Sequence, residues 1–152
     1  MVHKPKHKVH SFRGLLADGG QDEINLERQN VNLAYRIIKF EVIPNIPDNA
    51  NCECTVQIYK NAPSSIVGTI DFTDTDVLAA IFYNQDPSPA NNITQAKIID
   101  SGIFSRNIYV TNVDGNASTA INYYIELEEV PVTASTLMQL KLGVARKLSL
   151  TQ

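Results

Sequence analysis

A chain of 152 residues and 16.8 kDa can enclose one well-buried core and is too short for two ordinary domains. With 43% apolar and 19% charged residues and a net charge of −3, it is not an intrinsically disordered chain. No apolar run reaches the ~18 residues that a membrane-spanning helix needs, and two cysteines are too few for a disulfide framework.

The chain opens on MVHKPKHKVHSFR, in which Lys4, Lys6, Lys8 and Arg13 give +4 with no acid, leaving 9 cations against 16 acids, −7, on the remainder. Pro5 and the Lys/His alternation deny residues 1–10 an apolar face, so an extended basic arm is expected over residues 1–16. The opening has the charge of a signal peptide's first region but no apolar stretch behind it, so the protein is expected in the cytosol of its host or packaged there into something larger. An arm opposite in sign to its body is suited to lying on a neighbouring copy or on another acidic surface.

LLADGG follows as a turn, with Leu15 and Leu16 as a small apolar anchor, Asp18 able to bond back to the backbone, and Gly19 and Gly20 free to take positive φ. DEINLE begins a short strand with Ile24 and Leu26 on one side. In AYRIIKFEVI the apolar positions Ile38, Phe40 and Val42 alternate with Lys39 and Glu41, and PNIPDN ends the run. CECTVQIYK puts Cys52, Cys54, Val56 and Ile58 opposite Glu53, Thr55, Gln57 and Tyr59, so these two runs read as paired antiparallel strands with one wet face. VGTIDF is a further strand. TDTDVLAAIFYN suits a buried strand or, with Thr73 or Asp74 as cap, a two-turn helix, and the helix is preferred.

QDPSPANN is a loop by composition, IFSRNIYVTN a strand, VDGNAS a hairpin-type turn, and TAINYYIELEEV a strand alternating Ile121, Tyr123, Ile125 and Leu127 against Asn122, Tyr124, Glu126 and Glu128. Six or seven such strands predict a mainly β fold, an antiparallel β-sandwich or jelly-roll, over residues 17–131. Over 132–152, Thr133 or Ser135 can cap a helix with Leu137, Leu140, Val144 and Leu148 on one stripe.

No hydrolytic triad, nucleophile elbow, P-loop or Rossmann glycine run appears, and His3, His7 and His10 all sit in the arm, so no catalytic residue and no cofactor is expected. Asp71, Asp74 and Asp76 could hold calcium, but such clusters at strand ends are ordinarily turns and caps. Glu126 and Glu128 could act on a glycosidic bond, but on a polar strand face their ordinary fate is solvation. Cys52 and Cys54 read as reduced core thiols, because a zinc site needs further Cys or His ligands that the body of the chain lacks. Four cations without an aromatic platform, on a chain whose body is −7, do not favour nucleic acid.

The set RGLLADGGQDEINL, AYRIIKFEVIP, IDFTD with VLAAIFY, IFSRNIYVTNVDG and INYYIELEEV resembles a group of small virion proteins of marine tailed bacteriophages, over roughly residues 11–130. The resemblance implies a non-enzymatic structural role in the virion, assembled in the host cytoplasm. A decoration or cement protein of the head is expected first, bound to the major capsid protein or another virion protein. Small β-sandwich head proteins often sit on local threefold axes, so a homotrimer is expected. Lys4, Lys6, Lys8, Arg13, Leu15 and Leu16 are the expected partner contacts, with no membrane and no metal involved. The alternatives are a tail or fibre component touching the host through QDPSPANN or VDGNAS, and a soluble β-sandwich module for carbohydrate or calcium.

Overall fold

The computed structural model describes residues 7–26, 32–47, 51–86, 92–133, 135–140 and 142. Eight antiparallel strands follow in chain order: β1 (Val9–Leu16), β2 (Gln21–Ile24), β3 (Leu33–Pro44), β4 (Glu53–Tyr59), β5 (Val77–Asp86), β6 (Asn92–Ile99), β7 (Ile108–Asp114) and β8 (Ile121–Pro131). They form a three-stranded sheet in the order β1-β8-β3 and a five-stranded sheet in the order β2-β7-β4-β5-β6. The first strand thus pairs with the last, the second with the seventh and the fourth with the fifth, as in one long hairpin wound into a jelly roll. β6 departs from that scheme by staying hydrogen-bonded to β5, and it meets β3 through Lys97 Nζ and Glu41 Oε1 at 2.5 Å.

The inner faces of the two sheets supply the core, with Phe40, Val56, Ile58, Ile81, Ile121 and Ile125 among its fully enclosed side chains. In β8 the period of two holds along the strand: Ile121, Tyr123, Ile125 and Leu127 are buried. Glu128 is the exception on the other face. It is 1% exposed and accepts from Arg36 Nη2 at 2.6 Å, so it is a buried partner of a cation and not a solvated carboxylate.

Several elements differ from expectation for identifiable reasons. The arm expected over residues 1–16 is a sheet strand in its second half: Val9–Leu16 pairs with β8 from Val9↔Glu128 to Leu16↔Ile121, and Glu129 N donates to Lys8 O at 2.9 Å. Lys4 and Lys6 lie outside the described residues. β3 and β4 do not pair, because each belongs to a different sheet, and the VDGNAS turn likewise carries the chain between sheets and closes no hairpin. The face of β4 expected to be wet is covered: Thr55, Gln57 and Tyr59 are buried, and Gln57 Nε2 donates to Thr69 O at 3.0 Å, so VGTIDF is an irregular segment laid over the five-stranded sheet.

DVLAAIFY is β5 and not a helix. An apolar run buried on both sides has no period by which to distinguish the two, and its flanking aspartates make turns, Asp71 Oδ1 accepting from Thr73 N and Asp74 Oδ1 from Asp76 N. β6 was not anticipated. Of the QDPSPANN loop, residues 87–91 lie outside the described set. A short helix does follow β8, over 135–140, capped by Thr133, whose Oγ1 accepts from Thr136 N at 3.1 Å, while Val144 and Leu148 of the expected stripe lie outside the described residues. No described helix is long and apolar enough to cross a membrane.

Candidate partner-binding face

The outer face of the three-stranded sheet is built by strand alternation plus one irregularity. Odd residues of β1 and even residues of β8 point outward, and the register aligns Ser11 with Glu126, Arg13 with Tyr124, and Leu15 with Asn122. In β3 the register slips between Ile37 and Lys39, making Ile38 a bulge residue. Before it Tyr35 and Ile37 face the core; after it Phe40 and Val42 do, so that Lys39, Glu41 and Ile43 turn outward beside Glu126, Tyr124 and Asn122. One extra residue therefore completes three cross-strand rows on this face.

The rows enclose an open groove of about 520 Å³ lined by Arg13, Leu15, Glu41, Ile43, Asn122 and Tyr124 over the backbone of Gly14 and Tyr123. At its end Leu15 is 54% and Ile43 60% exposed, an apolar pair flanking the Asn122 amide. Arg13 and Glu41 place opposite charges on either side of Tyr124. Tyr124 is fixed in place: its hydroxyl donates to Glu126 at 2.7 Å, which raises its pKa, and Lys39 Nζ lies over the ring, 5.7 Å from the centroid.

Beneath the groove, the Tyr123 ring passes under Gly14 to reach the other sheet, its hydroxyl donating to Asp22 Oδ2 at 2.8 Å. Burial first, and then this bond to a carboxylate, raises the phenol's pKa. A Cβ at Gly14 would lie 2.8 Å from Tyr123 Cε2 and Oη, so the glycine permits the crossing.

Of the six contacts expected from sequence, Arg13 and Leu15 meet in this groove, and Lys8 is exposed at the opposite end of β1. Leu16 is a correction: it is 3% exposed and packs in the core, because strand alternation turns it inward when Leu15 turns out. Near Lys8, His10 Nε2 meets Glu129 Oε2 at 2.5 Å and the His10 ring stands edge-on to Tyr35, fixing the start of β1. Glu41, Ile43, Asn122 and Tyr124 were not singled out as contacts. The adjacent Ile37 and Ile38 in an otherwise alternating run were the available sign of a bulge.

The aspartate cluster behaves as turn chemistry. Asp71, Asp74 and Asp76 border a second concavity of about 680 Å³, but Asp71 is satisfied by Thr73, Asp74 by the backbone of Asp76, and Asp76 by Asn61 Nδ2 at 3.0 Å. The metal-type cluster among the described residues is elsewhere, and joins Cys52 and Cys54 to Asp114, sixty residues on from Cys54 and its register partner across β4 and β7. Compared with protein families and with curated proteins, the sequence has no match.

Proposed function

We propose that this chain is a structural protein of a bacteriophage particle, a decoration or cement protein that docks on the major capsid protein or another virion protein through β1 and the groove beside it. The sequence resemblance supplies the setting. The observation that carries the docking face is the Leu15–Ile43 pair, exposed on one sheet face next to Arg13, Tyr124 and Glu41. Apolar area with an aromatic and an arginine beside it suits the centre of a protein–protein interface. Glu41 opposite Arg13 disfavours a phosphate backbone, and Lys39 over the Tyr124 ring occupies a surface on which a sugar would stack.

β1 joins two kinds of contact. Lys8 leaves the sheet at one end and Leu15 ends the other, roughly 24 Å apart at about 3.4 Å per residue, so one edge strand offers a cationic anchor and an apolar contact. A symmetric trimer presenting three such strands to a local threefold axis is part of this proposal.

The test is attachment to undecorated heads by Leu15→Asp/Ile43→Asp and by a chain lacking residues 1–7. Truncation stops there because β1 and the Lys8 carbonyl belong to the sheet. Both variants should keep the circular dichroism of the parent, and the double substitution should lose at least about tenfold in occupancy, the effect of one interface hot spot. Undiminished occupancy, or absence of the protein from purified particles, overturns the reading. Location on the tail with loss of host adsorption would establish the tail component instead, and saturable glycan binding lost with Tyr124→Ala the carbohydrate module.

A further inference from the structure

Where β4 begins, Cys52 and Cys54 are both fully buried with their sulfurs 3.1 Å apart, within reach of a thiol–thiol hydrogen bond. Alternation puts both thiols on the inner face, and Asp114, at the end of β7, stands beside them so that one ligand atom of each lies within 4.8 Å of the other two. The Asp114 carboxylate is held rigidly by the backbone: Oδ1 accepts from Glu53 N, Asn116 N and Ala117 N at 3.2, 2.9 and 3.1 Å, and Oδ2 from Thr119 N at 2.7 Å. Three of those donors converge on Oδ1, which leaves Oδ2 as the oxygen with coordinating capacity to spare.

A fourth group points to the same spot. Thr119 is buried, and its hydroxyl adjoins both Cys52 and Asp114 without a well-formed hydrogen bond to either. A buried hydroxyl left in that condition is uncommon and calls for an explanation. Two sulfurs, a carboxylate oxygen and a hydroxyl oxygen make a four-ligand set of the size and softness that a tetrahedral d¹⁰ divalent ion takes.

We propose that Cys52, Cys54 and Asp114, completed by the Thr119 hydroxyl, form a buried binding site for a thiophilic divalent metal ion of the zinc class, which ties β4, β7 and the turn before β8 together. On binding, two S–H bonds break, their protons pass to solvent, and two metal–sulfur bonds form. Two thiolates and one carboxylate leave a single net negative charge around a divalent ion, against the Thr119 hydroxyl and the turn amides. The exposed Gly115–Ser118 turn joins Asp114 to Thr119 and brings the cluster within a few residues of solvent. A disulfide is the competing fate of the pair. Residues two apart on an extended strand hold their Cα atoms about 6.7 Å apart, at the far limit of disulfide geometry, and a disulfide would give Asp114 and Thr119 no role.

The probe is cadmium, added to the full chain under a non-thiol reductant after chelator treatment, with ultraviolet absorbance and metal content measured after gel filtration. Cys52 and Cys54 are the chain's two cysteines, so a thiolate-to-cadmium band can arise from no other residue. The expected result is one cadmium per chain with that band, zinc displacing it in competition, and affinity reduced by at least about tenfold in Asp114→Asn. No band at excess cadmium, half an equivalent bridging two chains, or binding unchanged in Asp114→Asn each overturns the proposal. Binding that survives in Cys52→Ser/Cys54→Ser without the band would assign the metal to the N-terminal histidines and overturn it as well.

Discussion

Replacing Gly14 by alanine tests whether the path of Tyr123 holds the two sheets in their relation beneath the groove. Gly14 has no positive φ, so the strand backbone itself accepts alanine, and the effect comes from space alone. The new methyl would sit 2.8 Å from Tyr123 Cε2 and Oη and 2.9 Å from Cζ, and the ring is buried and tied to Asp22, so it can yield only by giving up that bond. Forced overpacking costs roughly 1–3 kcal/mol. The lost hydrogen bond adds about 1 kcal/mol. Alanine's smaller unfolded-state entropy returns about 0.4–1 kcal/mol. The net is about 2 kcal/mol, which for a chain of this length lowers Tm by about 4–8 °C. Urea denaturation of Gly14→Ala, Tyr123→Phe and the double variant measures it. With the hydroxyl gone the ring is free to swing off β1, so the second substitution should cost about 1 kcal/mol less in the Gly14→Ala background than in the parent. A Gly14→Ala variant within about 0.5 kcal/mol of the parent, or strict additivity, would refute the reasoning.

Two further outcomes follow from the same geometry. Burial acts to raise the pKa of Asp114, but the amides of Asn116, Thr119 and Ala117 outweigh it and hold the carboxyl below its ordinary value. A depressed folded pKa gives stability that is complete above the unfolded value of about 3.9 and is lost as pH falls through the folded value. In chelator-treated protein, Asp114→Asn should therefore be less stable near neutrality and should show a smaller loss of urea midpoint on acidification below about pH 4 than the parent; equal acid slopes would remove Asp114 as a source. The neighbouring leucines should separate cleanly in thermal denaturation: Leu16→Ala loses about 2–5 kcal/mol as a core truncation, while Leu15→Ala stays within about 0.5 kcal/mol.

Strand alternation was legible wherever a strand has one wet face. In INYYIELEEV the period of two predicts the buried set Ile121, Tyr123, Ile125 and Leu127, whereas Leu15 and Leu16, read as one anchor in an extended arm, are separated only once Val9–Leu16 is known to be a strand. The rule fails where its premise does. Buried on both sides, VLAAIFY lost the period that marks a strand. Gln57 and Thr55 are polar yet buried, because a segment that is not itself a strand lies over them. Strand partners were illegible for another reason: pairing β1 with β8 and β2 with β7 is a property of the winding, and local patterns carry no record of it.

Those same long-range pairings create both candidate sites, which is why the sequence showed only fragments of each. Arg13 and Leu15 become part of a groove only when β8 brings Tyr124 and Asn122 alongside and the Ile38 bulge turns Glu41 and Ile43 outward. Cys52 and Cys54 lacked a third ligand in every reading confined to neighbours in the chain, and Asp114 arrives through the β4–β7 register, with Thr119 carried in by the turn that Asp114 itself caps. The groove depends on the winding of the three-stranded sheet, and the thiol cluster on that of the five-stranded one. The two sheets share one core, however, so losing the β1–β8 pairing should abolish docking and the cadmium band together, and a variant that keeps the band without docking would show that the five-stranded sheet holds its fold without β1.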